Sequence, residues 1–252
     1  MGKVGSSTVV ETLKNLELGV PIVHTHTLRA STLKKAIQKE RTSGTQRISG
    51  HLVASSILIP KLENGLFPST VITLTREPIG RAVSFVFEDW RKKAPHARQT
   101  DGQLDPQVMA SAVEEILESV GNHADPSGWF DEEIKGVFGI DIFSVPFDFE
   151  RGFVLLQRGP VRVLLMRMED LDGALPLGIE ACLGVPARDV EIRRANEGSK
   201  SWYRDSFQKV KQSLRLREEL VDRILSTRYV RHFYPEQIDA LRRRWLVPAH
   251  QR

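Results

Sequence analysis

VITLTREPIGRAVSF, residues 71–85, is the stretch whose reading decides the fold. Residues 71–75 are β-branched and nearly all apolar, which suits a strand buried on both faces in a parallel sheet. Pro78 fits the first turn of a helix, where its missing N–H costs nothing, so the chain reads as strand, loop, helix. Arg76 closes the strand and Ser84 follows eight residues later, about two helical turns on, so both side chains can point back at one anion. The competing reading pairs Arg76 and Arg81 with Glu77 and Glu88 on a solvated face.

On the N-terminal side, Gly2 to Thr8 is a glycine- and hydroxyl-rich loop running into a helix that starts near Ser6 or Ser7, with Val9, Val10, Leu13 and Leu16 at helical spacing. Gly19 and Pro21 end that helix. VPIVHTHTL (20–28) reads as a short buried strand whose polar tip carries His24 and His26. A basic helix over LRASTLKKAIQKER, a turn over SGTQ and a helix over 50–63, broken or kinked at Pro60, complete this side. On the C-terminal side, residues 91–105 form a charged surface loop, and PQVMASAVEEILESV is an amphipathic helix with Val108, Ala112, Val113, Ile116 and Val120 on one stripe. GFVLLQ and VRVLLMRM form a hairpin across Arg158, Gly159 and Pro160, and helices over 205–226 and 235–246 finish the chain. The repeated strand, loop, helix unit predicts an α/β fold: a mostly parallel central sheet with a helical C-terminal cover, a single domain over 1–252 with a loop and helix insertion at 91–135. Ligands in such sheets sit at the carboxyl ends of the strands.

Composition sets outer bounds. The 252 residues, 40% hydrophobic and 27% charged, are those of a globular chain. The single cysteine, Cys182, excludes a disulfide framework or a cysteine-rich metal module and reads as core. Residues 1–150 carry 16 basic and 19 acidic side chains, whereas 151–252 carry 20 and 13, so the basic excess lies entirely in the C-terminal part. No apolar run approaches the roughly 18 residues of a membrane span, and the expected location is cytoplasmic, with peripheral contact at the inner membrane face through the basic C-terminal part as an option. Arg242, Arg243 and Arg244 read first as a solvated helix face.

The residues that carry chemistry start at the N-terminus. Gly2-Lys3-Val4-Gly5-Ser6-Ser7-Thr8 has glycines that let the backbone approach a phosphate, N–H groups at a helix N-terminus, hydroxyl donors and one lysine. It is not a Walker A loop, because Val4 stands where the magnesium-holding Ser or Thr must follow the lysine. A loop of this kind is fed by a strand of roughly five residues, so a first strand is expected to be missing from this chain and to lie upstream of Met1. His24 and His26 are two apart, and on a strand both face one side; either is a candidate general base, with His26 preferred because it lies nearer the strand's carboxyl end. His51, Glu88 and Asp89 are reserves. Glu169 and Asp170 read as a structural turn. Trp129, Phe130 and Asp131 read as core more than as a sugar-binding surface, and an acceptor pocket is expected from the loops around 90–130.

Lys-x-Gly-Ser-Ser-Thr followed by an apolar strand and Arg-Glu-Pro-x-x-Arg-x-x-Ser resembles the two phosphate-binding loops of sulfotransferases that use 3′-phosphoadenosine 5′-phosphosulfate (PAPS). Nearly the whole chain is similar to the bacterial capsular polysaccharide synthesis family, a sulfotransferase-like group, through VHTHT, VITLTREPIGRAVSF, WFDEEIKGVFGIDIF, PFDFERGF, LLMRMEDLD and YVRHFYPEQIDALRRRW. The family's Asn, Lys, Trp, Tyr, Ser signature has counterparts in Asn196, Lys200, Trp202, Tyr203 and Ser206, with Ser201 interposed. The resemblance implies a P-loop sulfotransferase-like fold and sulfuryl transfer from PAPS to a hydroxyl of a cell-surface carbohydrate, or a glycolipid precursor, with no metal and no nucleic-acid partner. Lys3 and Gly5, Ser6, Ser7 and Thr8 would bind the 5′-phosphosulfate, Arg76 and Ser84 the 3′-phosphate, and Lys200 and Tyr203 would close over the nucleotide. The alternatives are a nucleotide kinase-like phosphotransferase and a non-catalytic capsule-assembly protein that keeps the fold.

Overall fold

A computed structural model describes residues 1–42, 48–65, 67–119, 123–195 and 202–246. In chain order its helices and strands are α1 (Ser6–Asn15), α2 (Ala30–Thr42), α3 (Gly50–Glu63), β1 (Ser69–Thr75), α4 (Pro78–Glu88), α5 (Trp90–Lys93) and α6 (Pro106–Glu118). There follow α7 (Ser127–Phe130), a π-helical turn (Asp131–Lys135), α8 (Gly136–Phe138), β2 (Phe153–Arg158), β3 (Val161–Arg167) and α9 (Leu171–Leu183). The last helices are α10 (Arg204–Ser213), α11 (Glu218–Leu225), α12 (Arg228–Phe233) and α13 (Ile238–Trp245). The chain divides into two compact units, residues 1–75 with 128–195 and residues 76–127 with 196–252.

The first unit is built on the sheet. Its strand order is β1-β3-β2, with β1 parallel to β3 from Ser69↔Val161 to Thr75↔Arg167 and β2 antiparallel to β3. β3 is central, and Val163, Leu164, Leu165 and Met166 are wholly buried, as expected for a strand covered on both faces. The α9 helix lies against it so closely that a Cβ on Gly178 would stand 3.0 Å from Leu164. Cys182 is buried on this helix, and burial pushes its thiol up to about 11, so it is a core residue. The α2 and α3 helices pack on each other through Leu33, Leu52 and Ile59, and α3 runs through Pro60 to Glu63.

The expected mostly parallel central sheet is corrected here to a small mixed sheet of three strands among the described residues. The β2–β3 hairpin forms as expected: the two residues between the strands, Gly159 with φ 53° and Pro160, make a tight reversal, and a two-residue connection can only join antiparallel neighbours. The departure lies at VPIVHTHTL, which forms no strand. The Thr25 hydroxyl donates to the Thr27 carbonyl at 2.8 Å, Ser55 Oγ donates to the same carbonyl at 2.9 Å, and the Leu28 N–H donates to Glu133 Oε2 at 2.5 Å. Side chains thus satisfy backbone groups that a strand would have paired.

The second unit is helical. The α4 helix packs on α6 and α10, and Tyr229, Phe233, Tyr234 and Trp245 fill its interior. The buried stripe of α6 is Met109, Ala112, Val113, Ile116 and Leu117, rotated from the expected one, and Val108 is left 36% exposed; Val120 lies outside the described residues. Instead of a plain surface loop, residues 91–105 hold most of the short α5 and a bridge between Arg98 and Leu104, with Ala94, Ala97 and Leu104 buried beneath. Arg242 is paired with Asp222 and Glu218.

Candidate functional site

In the first unit the N-terminal loop enters α1 through two left-handed residues, Lys3 (φ 65°) and Gly5 (φ 88°). A left-handed lysine is strained, and such strain persists only where the surroundings impose it. At Gly5 the conformation and a neighbour act together, because a Cβ there would lie 3.3 Å from Met168 Cγ. Gly5 is the N-cap of α1, and no side chain caps the helix. Val4 is 2% exposed and buried as a core residue. The Ser6 hydroxyl lies 3.1 Å from His24 Nε2, while Ser7 follows in the first turn, half-buried. Thr8 serves a different purpose: it is buried, its hydroxyl pairs with both the N–H and the carbonyl of Ala195 (3.2 and 3.4 Å), and Thr12 takes the Arg193 N–H at 3.0 Å. The two threonines bind the segment 193–195 to α1.

His24 and His26 do come together, although no strand places them. Their ring centroids are 4.9 Å apart, and His51 of α3 stands 4.8 Å from His26. The loop that carries them is held by long-range contacts: Trp129 Nε1 donates to the His26 carbonyl at 3.1 Å, and buried Glu133 in the π-helical turn accepts from Thr27 Oγ1 at 2.9 Å as well as from Leu28. Glu133→Ala would leave a buried hydroxyl and a buried N–H without their acceptor, and is expected to lower unfolding free energy by about 3 kcal/mol in urea titration.

Burial lowers the pKa of all three imidazoles. For His26 burial, reinforced by the amino terminus, His51, His24 and Lys3, brings it down to about 2; Glu40 acts in the opposite direction on His51. Between the ordinary value of 6.5 and the folded value the unfolded chain binds more protons than the folded one, so stability rises with pH across that window and falls on acidification. Comparing urea midpoints at pH 7 and pH 4, His26→Asn is expected to lose less stability than the wild type, and equal losses would contradict the assignment.

In the second unit the sequence-predicted pair is in contact: Arg76 Nη1 donates to Ser84 Oγ at 2.8 Å. The backbone of Arg76 is clamped by fully buried Tyr229, whose hydroxyl accepts from the Arg76 N–H at 2.9 Å and donates to its carbonyl at 3.0 Å. Glu77 caps α4, accepting from the N–H groups of Ile79 (3.0 Å) and Gly80 (2.6 Å). A Cβ on Gly80 would stand 2.4 Å from Glu77 Oε1, so a larger residue there displaces the capping carboxylate. Arg81 is buried rather than on a solvated face, donates to the His123 carbonyl at 3.2 Å, and has its pKa lowered by that burial. Among the reserves, Glu88 is exposed at the end of α4, and the Asp89 carbonyl accepts from Lys92 and Lys93.

Of the signature positions, Asn196 and Lys200 lie outside the described residues, as does the interposed Ser201. Tyr203 opens α10, its ring 5.4 Å from that of Phe87, while Ser206 is buried and Trp202 is exposed. Glu169 and Asp170 form a short turn in which Asp170 pairs with Arg167 at 2.5 Å. Reading the sequence missed Glu133 and Tyr229. Their partners are more than a hundred residues away in the chain, and no local pattern marks either.

The chain belongs to the NKWYS family, described as putative capsular polysaccharide synthesis protein, which it matches over residues 107–235. That description ties the chain to capsular polysaccharide synthesis. The matched stretch includes Glu133, Trp202, Tyr203 and Tyr229 and stops short of the N-terminal loop and of Arg76. No curated protein and no solved structure matches the chain. No helix among the described residues is long and apolar enough to cross a membrane, and no group of three or more His, Cys, Asp and Glu among them is placed to hold a metal ion.

Proposed function

We propose that this member of the capsular polysaccharide family is a sulfotransferase that moves the sulfuryl group of PAPS to a hydroxyl of a cell-surface carbohydrate or its precursor. The observation that carries the reading is the loop from Lys3 to Ser7: left-handed backbone at Lys3 and Gly5, a helix N-terminus that no side chain caps, and imidazoles alongside. The first N–H groups of α1 have no side-chain cap and form a helix terminus suited to an anion, and the dipole of α1 adds positive potential there. The residues therefore fit a phosphosulfate. Lys3 is assigned to the bridging oxygen, where charge develops as sulfate leaves, and the amides from Gly5 to Ser7 to the phosphosulfate oxygens. The Thr8 hydroxyl, held by Ala195, positions the segment 193–195 instead. Arg76 and Ser84 are assigned to the 3′-phosphate, while Tyr203 with Lys200 keeps the role of closing over the nucleotide that the resemblance implies.

The acceptor oxygen bonds to sulfur, the bond between sulfur and the bridging phosphate oxygen breaks, and the desulfated nucleotide (PAP) departs with that oxygen. The hydroxyl proton needs an acceptor. Preference for His26 rested on a strand that does not form, and an imidazole drawn down to about 2 is a weak base at neutral pH. We therefore assign the proton to His24 Nε2, which already lies 3.1 Å from Ser6 Oγ, and leave His26 as its neutral neighbour. Release of PAP from PAPS in the presence of capsular polysaccharide tests the reading: acceptor-dependent release is expected, and absence of release with every acceptor fraction would contradict it.

A further inference from the structure

The second unit carries an exposed aromatic and cationic surface in which only Tyr203 has a part in the proposed sulfuryl transfer. Trp202 is 52% exposed, yet its ring is fixed from two sides by edge contacts with Trp90 (6.0 Å, 73°) and Tyr203 (5.4 Å, 75°). Cations frame it: the Arg98 guanidinium carbon lies 5.8 Å from the Trp202 ring centre and that of Arg91 5.2 Å from the Trp90 ring centre. The segment WRKKAPHAR, residues 90–98, has Arg91, Lys92, Lys93 and Arg98 and no carboxylate, and Arg91, Lys92 and Arg98 are exposed.

An indole held rigid before binding loses little entropy on contact and offers a flat apolar face, to which the C–H face of a sugar ring is complementary. Arginine forks bind carboxylate or sulfate groups bidentately. We infer that this surface binds a segment of anionic polysaccharide, with one sugar ring on Trp202 and its acidic groups on Arg91, Lys92 and Arg98. A nucleic-acid strand is the poorer fit. It wants successive open platforms for stacked bases, whereas Trp90 is only 8% exposed and Tyr203 is half-buried. The inference rests on the carbohydrate part of the proposed function and is independent of the transfer chemistry.

The full chain, without nucleotide, is titrated with hexagalacturonate and with maltohexaose while tryptophan fluorescence and heat are followed. Hexagalacturonate is expected to bind about tenfold or more tightly than maltohexaose, with the difference shrinking as salt rises. Trp202→Ala should weaken hexagalacturonate binding about tenfold, and Arg98→Glu, a change at an exposed position, should remove the preference for the anionic sugar. Unchanged hexagalacturonate binding in either variant, no binding of either sugar by the wild type, or tighter binding of an oligothymidylate of similar length would each overturn the inference. PAP titration of the same samples separates the two proposals: loss of sugar binding with PAP binding intact removes only this surface, and the reverse removes only the transferase reading.

Discussion

Arg76→Ala is expected to weaken PAP binding by about a hundredfold, the cost of removing one partner from a charge-assisted contact. Arg76 is a credible phosphate ligand because its position is fixed twice over. Tyr229 holds its backbone through two hydrogen bonds, and Ser84 accepts from its guanidinium at 2.8 Å. The arginine therefore meets an anion without first being ordered, which keeps the entropic cost of binding low. Tyr229→Phe separates the two supports: it removes only the backbone clamp, so it should weaken PAP by about tenfold or less while the guanidinium stays in place. Equal affinity for PAP in wild type and Arg76→Ala, measured by calorimetry, would remove Arg76 from the site.

His24→Ala is expected to lower the rate of sulfuryl transfer by about 10²–10⁴-fold, the range for loss of a general base, with little change in PAP affinity. His26→Ala should cost less, because an imidazole that resists protonation contributes by packing against His24 and His51 rather than by taking a proton. The ordering of the two variants is the informative result. A larger loss at His26 than at His24 would return the base to His26 and imply that a bound nucleotide changes its surroundings. Below the ordinary histidine range the rate should fall as His24 becomes protonated, and because burial lowers its pKa that fall should begin at a lower pH than for a free imidazole.

Short-range signals in the sequence translated well. The β-branched run at 71–75, Pro78 at a helix start and the Gly159-Pro160 reversal each specify backbone within a few residues, and β1, α4 and the β2–β3 hairpin formed accordingly. The convergence of Arg76 and Ser84 was legible for the same reason: helical spacing across one loop sets it. VPIVHTHTL was misread because the apolar run VPIV with a polar tip matches a short buried strand, while its threonines and the distant Ser55 and Glu133 take up the backbone groups a strand would pair. The buried face of α6 was misplaced by a rotation, since Met109 and Leu117 serve the stripe as well as Val108 and Val120, and only the packing partners choose. Glu133 and Tyr229 were invisible: each is a buried polar group meaningful only through a partner far away in the chain.

The most direct test of the account is a calorimetric titration of the unaltered chain with PAP, with ATP as the competing nucleotide and no added metal. Saturable binding of PAP at one site per chain and markedly weaker binding of ATP are expected, because Arg76 and Ser84 are assigned to a 3′-phosphate that ATP lacks. No heat with PAP, or ATP bound as tightly as PAP, would contradict the account.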